Sequence, residues 1–200
     1  LLAIKGNDVN KLTHDGRTYI FWAAYRGNIE IMEYLLKKGA KTNIFDDKGY
    51  SALNFAAASG VEKTQVYDLL ISKGINPKKD LDSNGANALL LAAPHDKDFA
   101  LINYFVGKGL DLNSTDKDGN TAFNYAARVG NITTLKALLA KGVKFTDNAM
   151  IIASQGGRGT SNGLELYQYL ESLKISPKAL GKNGENVLHN IVRKEKQAEI

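Results

Sequence analysis

The sequence predicts an all-α repeat fold, and three observations carry that expectation. A glycine followed seven and eight residues later by an alanine pair occurs four times: Gly16 with Ala23-Ala24, Gly49 with Ala56-Ala57, Gly85 with Ala92-Ala93, and Gly119 with Ala126-Ala127. The first alanines of successive pairs lie 33, 36 and 34 residues apart, the length of a helix-turn-helix unit plus a hairpin. Each pair is followed by a second apolar pair shortly before another glycine, as in Leu35-Leu36 before Gly39, Leu70-Ile71 before Gly74, Phe105-Val106 before Gly109 and Leu138-Leu139 before Gly142.

Each part of the unit has a physical reason. Thr18, Ser51 and Thr121, with Asn87, Asn148 and Asn186, stand where a first helix needs an N-cap acceptor for its orphan amides. The alanine pairs keep that inner helix thin, so neighbouring units can stack closely and bury a shared face. The second apolar pair gives an outer helix its buried side. Gly39, Gly74, Gly109 and Gly142 then fall where a left-handed helix cap suits glycine, and polar residues from there to the next glycine form a hairpin finger.

Gly16-x-Thr18-x-Ile20, Ala23-Ala24, Gly27, Leu35-Leu36-x-x-Gly39-Ala40 and Asn43 resemble an ankyrin repeat, and the likeness extends over essentially the whole chain. The implied fold is an ankyrin solenoid of helix-turn-helix units joined by β-hairpin-like loops. The family's Pro after the Thr is replaced by Tyr19, Ala52, Ala88, Ala122, Ala149 and Val187, and only His189 keeps its His, so the array is divergent. Residues 1–200 read as a single domain. It comprises a partial repeat at 1–13, repeats at about 14–46, 47–81, 82–115, 116–145 and 146–180, and a partial terminal repeat at 181–200.

Along the chain, Leu1 and Leu2 read as the last turn of a unit whose earlier part is missing, and with no initiator Met the chain reads as an excerpt. The first full unit places Trp22 on a face expected to pack between helices. The second holds two extra residues between Gly60 and Leu70, which lengthen either the turn or the outer helix. In the third, Pro94 should end the inner helix and leave His95 in the turn. Between units four and five the hairpin should be cut away. The glycine-rich run from Gly156 to Gly163 reads as a flexible surface loop, since it joins two helices and lacks the Lys of a phosphate-binding loop. Arg193, Lys194, Glu195, Lys196 and Gln197 read either as a polar terminal cap or as the place where the excerpt was cut.

A hydrophobic content of 44% with 24% charged residues fits an ordered protein, and the net charge of +5 is not concentrated. Residues 1–100 carry 13 basic and 12 acidic side chains and residues 101–200 carry 13 and 9, interleaved throughout, which argues against a nucleic-acid stripe. No stretch is apolar enough to span a bilayer. Cysteine is absent, which removes disulfides, thiolate metal sites and cysteine nucleophiles together.

Catalysis needs a nucleophile or metal with a positioned base. His14, His95 and His189 fall in different units, and Asp46-Asp47 reads as a solvated hairpin pair. No catalytic residue, metal ligand or cofactor is therefore expected. The family resemblance instead implies a protein or peptide partner bound on the concave inner-helix and finger face. Carried over residue by residue, its contact positions include Arg17, Tyr25, Arg26, Phe45, Lys48, Tyr50 and, in the fourth unit, Arg128. Their aromatic and Arg content suits an interface with a partner of acidic character. The expectation is a monomeric interaction module with no nucleic-acid or membrane partner. The alternative is a regulatory or targeting domain of a larger enzyme or effector. An intracellular setting is favoured, with secreted or periplasmic settings left open.

Overall fold

The structure, a computed structural model, describes residues 7–157 and 161–193. Leu1, Leu2, Arg158, Gly159, Thr160 and the proposed terminal cap beyond Arg193 lie outside the described residues. Among those described there are eleven helices and no strand. The chain resolves into two compact units, Leu1–Ala92 with Ala100–Leu110, and Ala93–Phe99 with Asp111–Ile200.

The first unit contains α1 (Tyr19–Tyr25), α2 (Ile29–Lys37), α3 (Ala52–Ala58), α4 (Thr64–Ser72), α5 (Ala88–Ala92) and α6 (Ala100–Gly107). Inner helices α1, α3 and α5 pack side by side, and α2, α4 and α6 each back onto their own inner helix. Ala24, Ala56, Ala57 and Ala92 are fully buried in that contact, which is what the alanine pairs permit. The outer layer closes on Met32, Tyr67, Leu70 and Phe105, all without exposed surface, each such side chain contributing about 1.5–3 kcal/mol by burial. The Tyr67 ring meets Phe105 edge-on at 5.0 Å while its hydroxyl donates to the Val61 carbonyl. The two extra residues of the second unit lengthen the turn, because α2 and α4 are both nine residues long.

The second unit contains α7 (Ala122–Ala126), α8 (Ile132–Ala140), α9 (Asn148–Gln155), α10 (Leu164–Ser172) and α11 (Val187–Arg193). Inner helices α7, α9 and α11 pack in succession, with α8 and α10 behind them. Only residues 141–147 separate α8 from α9, so the finger expected to be missing is absent there, and Phe145 instead packs on Phe123 at 5.3 Å.

Helix ends follow the expected chemistry in part. Ser51 and Asn87 accept from the amides of Asn54 and Leu90, and Asn186 from that of His189. Thr18 and Thr121 make no such cap bond. Thr121 donates to the Lys144 carbonyl, and the Thr18 hydroxyl is buried without a partner. Asn148 is the first residue of α9 rather than its cap. The outer helices α2 and α8 are capped by Asn28 and Asn131. Gly39, Gly74, Gly109 and Gly142 all adopt the positive φ of a left-handed cap, and Lys174 takes that conformation at φ 63° in the fifth repeat. Inner helix α5 stops at Ala92, before Pro94, as its ring requires.

The fingers share one turn. In each, the amide at its first position donates to the carbonyl four residues on, and a glycine amide closes back: Thr13 with Arg17 and Gly16, Asp46 with Tyr50 and Gly49, Asp82 with Ala86 and Gly85, and Asp116 with Asn120 and Gly119. Asp46, Asp82 and Asp116 brace these turns from inside, each Oδ1 accepting two backbone amides. The reading of Asp46 as a solvated turn residue is therefore corrected: its side chain has no exposed surface, because the turn's inward amides need an acceptor there.

Candidate partner-binding surface

Helix α1 sets the surface. Ile20, Phe21, Ala23 and Ala24 are buried, so the 3.6-residue period turns Tyr19, Trp22 and Tyr25 outward, 39%, 38% and 41% exposed. Trp22 is thus exposed rather than part of the core, which corrects its expected burial, although its ring still packs against the neighbouring inner helix. Its ring lies edge-on to Phe55 of α3 at 5.6 Å and to Tyr25 at 6.2 Å, while Tyr25 lies 5.8 Å from Phe55. Phe55, almost buried and also 6.0 Å from Phe21, is the hub of this ring cluster.

Arg17 anchors the cluster to the second finger. Its guanidinium carbon sits 4.2 Å from the Phe55 ring centre and 5.6 Å from that of Trp22. Its Nε donates to Asp46 Oδ2 at 2.9 Å and its Nη1 to Asp15 Oδ2 at 3.4 Å. With a side chain only 13% exposed and its charge matched by two carboxylates, Arg17 positions the rings. Arg26 differs: it is exposed, its guanidinium 5.5 Å from the Tyr25 ring, with no ion pair among the described residues.

Successive fingers hold one another in register. The Asp15 carbonyl accepts from the Asp47 amide, and the Lys48 carbonyl accepts from both the amide and hydroxyl of Ser83. Lys48 and Phe45 are exposed on the second finger, and Tyr50 is half-buried at its base, where its amide donates to Asp46. Of the expected contact residues, Arg17, Tyr25 and Arg26 therefore come together around Phe55, and the Arg17–Asp46 pair ties the base of the second finger to them. Arg128 belongs to the second unit, where it donates to Gln155 Oε1 at 3.0 Å. Tyr19, Trp22 and Phe55 were missed, although the three-residue spacing of Tyr19, Trp22 and Tyr25 opposite Ile20 and Ala24 carried the signal.

Among the described residues no group of three or more His, Asp or Glu side chains is arranged to hold a metal ion, and no helix is long and apolar enough to cross a membrane. His14 and His189 meet Asp15 and Asn186, and His95 is exposed in the turn after α5.

A profile of ankyrin repeats matches the chain three times, at residues 1–80, 62–149 and 89–179. The chain belongs to the ankyrin-repeat family. It is 32% identical over 146 residues to protein lin-12 of Caenorhabditis elegans, covering 68% of this chain and 10% of that protein. It is 30% identical over 131 residues to palmitoyltransferase AKR1 of Lachancea kluyveri, covering 64% of this chain and 17% of that protein. To ankyrin repeat domain-containing protein 53 of Homo sapiens it is 32% identical over 118 residues, covering 58% and 22% respectively. Ankyrin repeats are generally protein-interaction modules, and the matched segment is a minor part of each of these relatives.

Proposed function

We propose that this ankyrin segment binds a protein or peptide through the face of α1 and the first two fingers, without catalysing a reaction itself. The observation that carries the reading is the exposed ring row Tyr19, Trp22 and Tyr25, backed by Phe55 and flanked by Arg26. Large rigid side chains beside an uncompensated guanidinium are the groups that dominate interface energies. Arg26, and Lys48 on the second finger, favour carboxylates on the partner, Phe45 and Tyr50 extend the contact positions of the first unit, and Arg128 is a separate contact position on the second. The repeat period runs from 1–13 to 181–200, which supports treating the chain as one array.

The test is capture of a partner by the intact chain and by a Trp22→Ala, Arg26→Ala double variant. Trp22 is the sole tryptophan, so its fluorescence reports contact with a tryptophan-free fragment of a captured protein. Binding weakened by about tenfold or more in the double variant is expected. Unchanged binding by a folded double variant refutes the reading. The palmitoyltransferase relative favours a second reading, in which the segment is a recognition domain within a larger enzyme. Both use the same surface.

A further inference from the structure

A cleft of about 360 Å³ opens in the first unit, its lining including Phe45, Ser51, Lys73, Lys79 and Asp80. Asp80 is only 7% exposed. Its Oδ2 receives the Ser51 hydroxyl and its backbone carbonyl receives Asn54 Nδ2, but its Oδ1 has no hydrogen-bond donor, and no cation pairs with it among the described residues. Burial accordingly pushes its carboxyl above the ordinary range, with the Ser51 hydrogen bond opposing.

The repeat does not demand a carboxylate at this place. Asp80 lies two residues before the finger residue Asp82, and the same position before Asp46 and Asp116 holds Ile44 and Ser114. The loop from Gly74 to Asp82 is also one residue longer than those from Gly39 to Asp46 and from Gly109 to Asp116. A largely buried carboxylate without a counter-charge costs stability, and a cation entering the cleft would offset that cost.

We propose that this cleft is a socket for a cationic side chain, lysine or arginine, presented by a partner protein. The same unit holds a filled version of the site: the Arg17 guanidinium lies between a buried carboxylate, Asp46, and a phenyl ring, Phe55. The Asp80 cleft supplies the buried carboxylate, and Phe45, 55% exposed, supplies the ring at its edge. Lys73 and Lys79 also line it, but both are exposed on long flexible stems and can turn their ammonium groups to solvent, whereas Asp80 is held by Ser51. The socket rests on the reading of the chain as protein-binding but uses none of the α1 rings.

The probe is N-acetyl-arginine amide, titrated into the full chain while the Asp80 carboxyl and Phe45 ring signals are followed by NMR. Saturable shifts of both are expected, with affinity reduced about tenfold or more by Asp80→Asn and less by Phe45→Ala. The Trp22→Ala, Arg26→Ala variant should respond as the native chain does, which separates failure of the socket from failure of the α1 surface. Absence of shifts, or equal affinity in Asp80→Asn, overturns the proposal. So does tighter binding of N-acetyl-glutamate amide, which would make the cleft a lysine-lined anion site. Should Asp80→Asn not fold, an unchanged response in Phe45→Ala is the overturning result.

Discussion

Replacing Asp46 by Ala should destabilise the first unit more than a change at any exposed finger residue, and the magnitude follows from three contacts. Oδ1 accepts the amides of Lys48 and Tyr50, each at 2.9 Å, and Oδ2 accepts Arg17 Nε at 2.9 Å. The Asp46 side chain has no exposed surface and that of Arg17 is 13% exposed, so deletion of the carboxylate leaves the guanidinium, held against Phe55 and Trp22, with only the longer, half-exposed Asp15 contact at 3.4 Å. Breaking such a pair from one side costs about 3–5 kcal/mol. Asp46→Asn keeps an acceptor for the turn amides and should lose about half as much. Urea unfolding followed by Trp22 fluorescence reads the unit that contains α1, and the Ala variant should lower the midpoint by at least about 1 M at an m-value of about 1–3 kcal/mol/M. Adding Arg17→Ala completes a double-mutant cycle, with a coupling of about 1.5–3 kcal/mol expected for a charge-assisted buried bond. A loss below about 1 kcal/mol, or a coupling near zero, would mean that Arg17 is a solvated surface residue and that the ring cluster is not anchored to the second finger.

Other substitutions probe neighbouring features. Gly49 has φ +75° and a Cβ there would lie 2.5 Å from Ser83 Oγ and 2.7 Å from its backbone nitrogen, whereas Gly39, at φ +89°, has nothing within 4 Å. Gly39→Ala should therefore cost about 1–2 kcal/mol from conformation alone, and Gly49→Ala visibly more, with faster hydrogen exchange at the Ser83 amide. Asn124, fully buried, donates to Thr146 Oγ1 at 2.7 Å, so Asn124→Ala should cost about 1–3 kcal/mol by urea titration of the second unit. For Asp80, burial raises the folded pKa above the unfolded one, so the favourable contribution is full below the unfolded value and is lost as pH rises through the folded value. Asp80→Asn should accordingly gain stability over the native chain at neutral pH and lose that advantage in acid, as followed by thermal melts across pH. A native chain more stable than the variant at neutral pH would contradict this.

The repeat architecture was legible because it is written in spacing. Glycine and alanine serve backbone geometry and close approach, and those needs recur every 33 to 36 residues regardless of neighbours. What each polar side chain does was less legible, because that depends on the adjoining repeat. Asp46 and Asp47 read alike as turn formers, yet one is enclosed by its own turn and the other faces water. Thr18 and Ser51 both fit an N-cap, but only Ser51 accepts the amide of its helix, and it donates to a carboxylate 29 residues away. Trp22 was expected on a face packing between helices, although its spacing to the buried Ile20 and Ala24 turns it outward.

The cation-on-ring arrangement at Arg17 shows why stability and recognition are coupled in this unit. An arginine that reached freely into solvent would meet a partner more strongly but would leave Asp46 without its charge partner and Phe55 without its cover. Holding the guanidinium down instead fixes the tilt of Trp22 and Tyr25 before any partner arrives, so less side-chain freedom is lost on contact. It follows that Arg17→Ala should weaken partner binding even though Arg17 offers little surface of its own, and that the loss should appear together with lower stability. Arg26→Ala should weaken binding while leaving the urea midpoint within about 0.5 kcal/mol of native stability, as expected for a surface substitution. If both variants leave the midpoint unchanged and weaken binding equally, Arg17 is a contact residue and the anchoring role assigned to it is wrong.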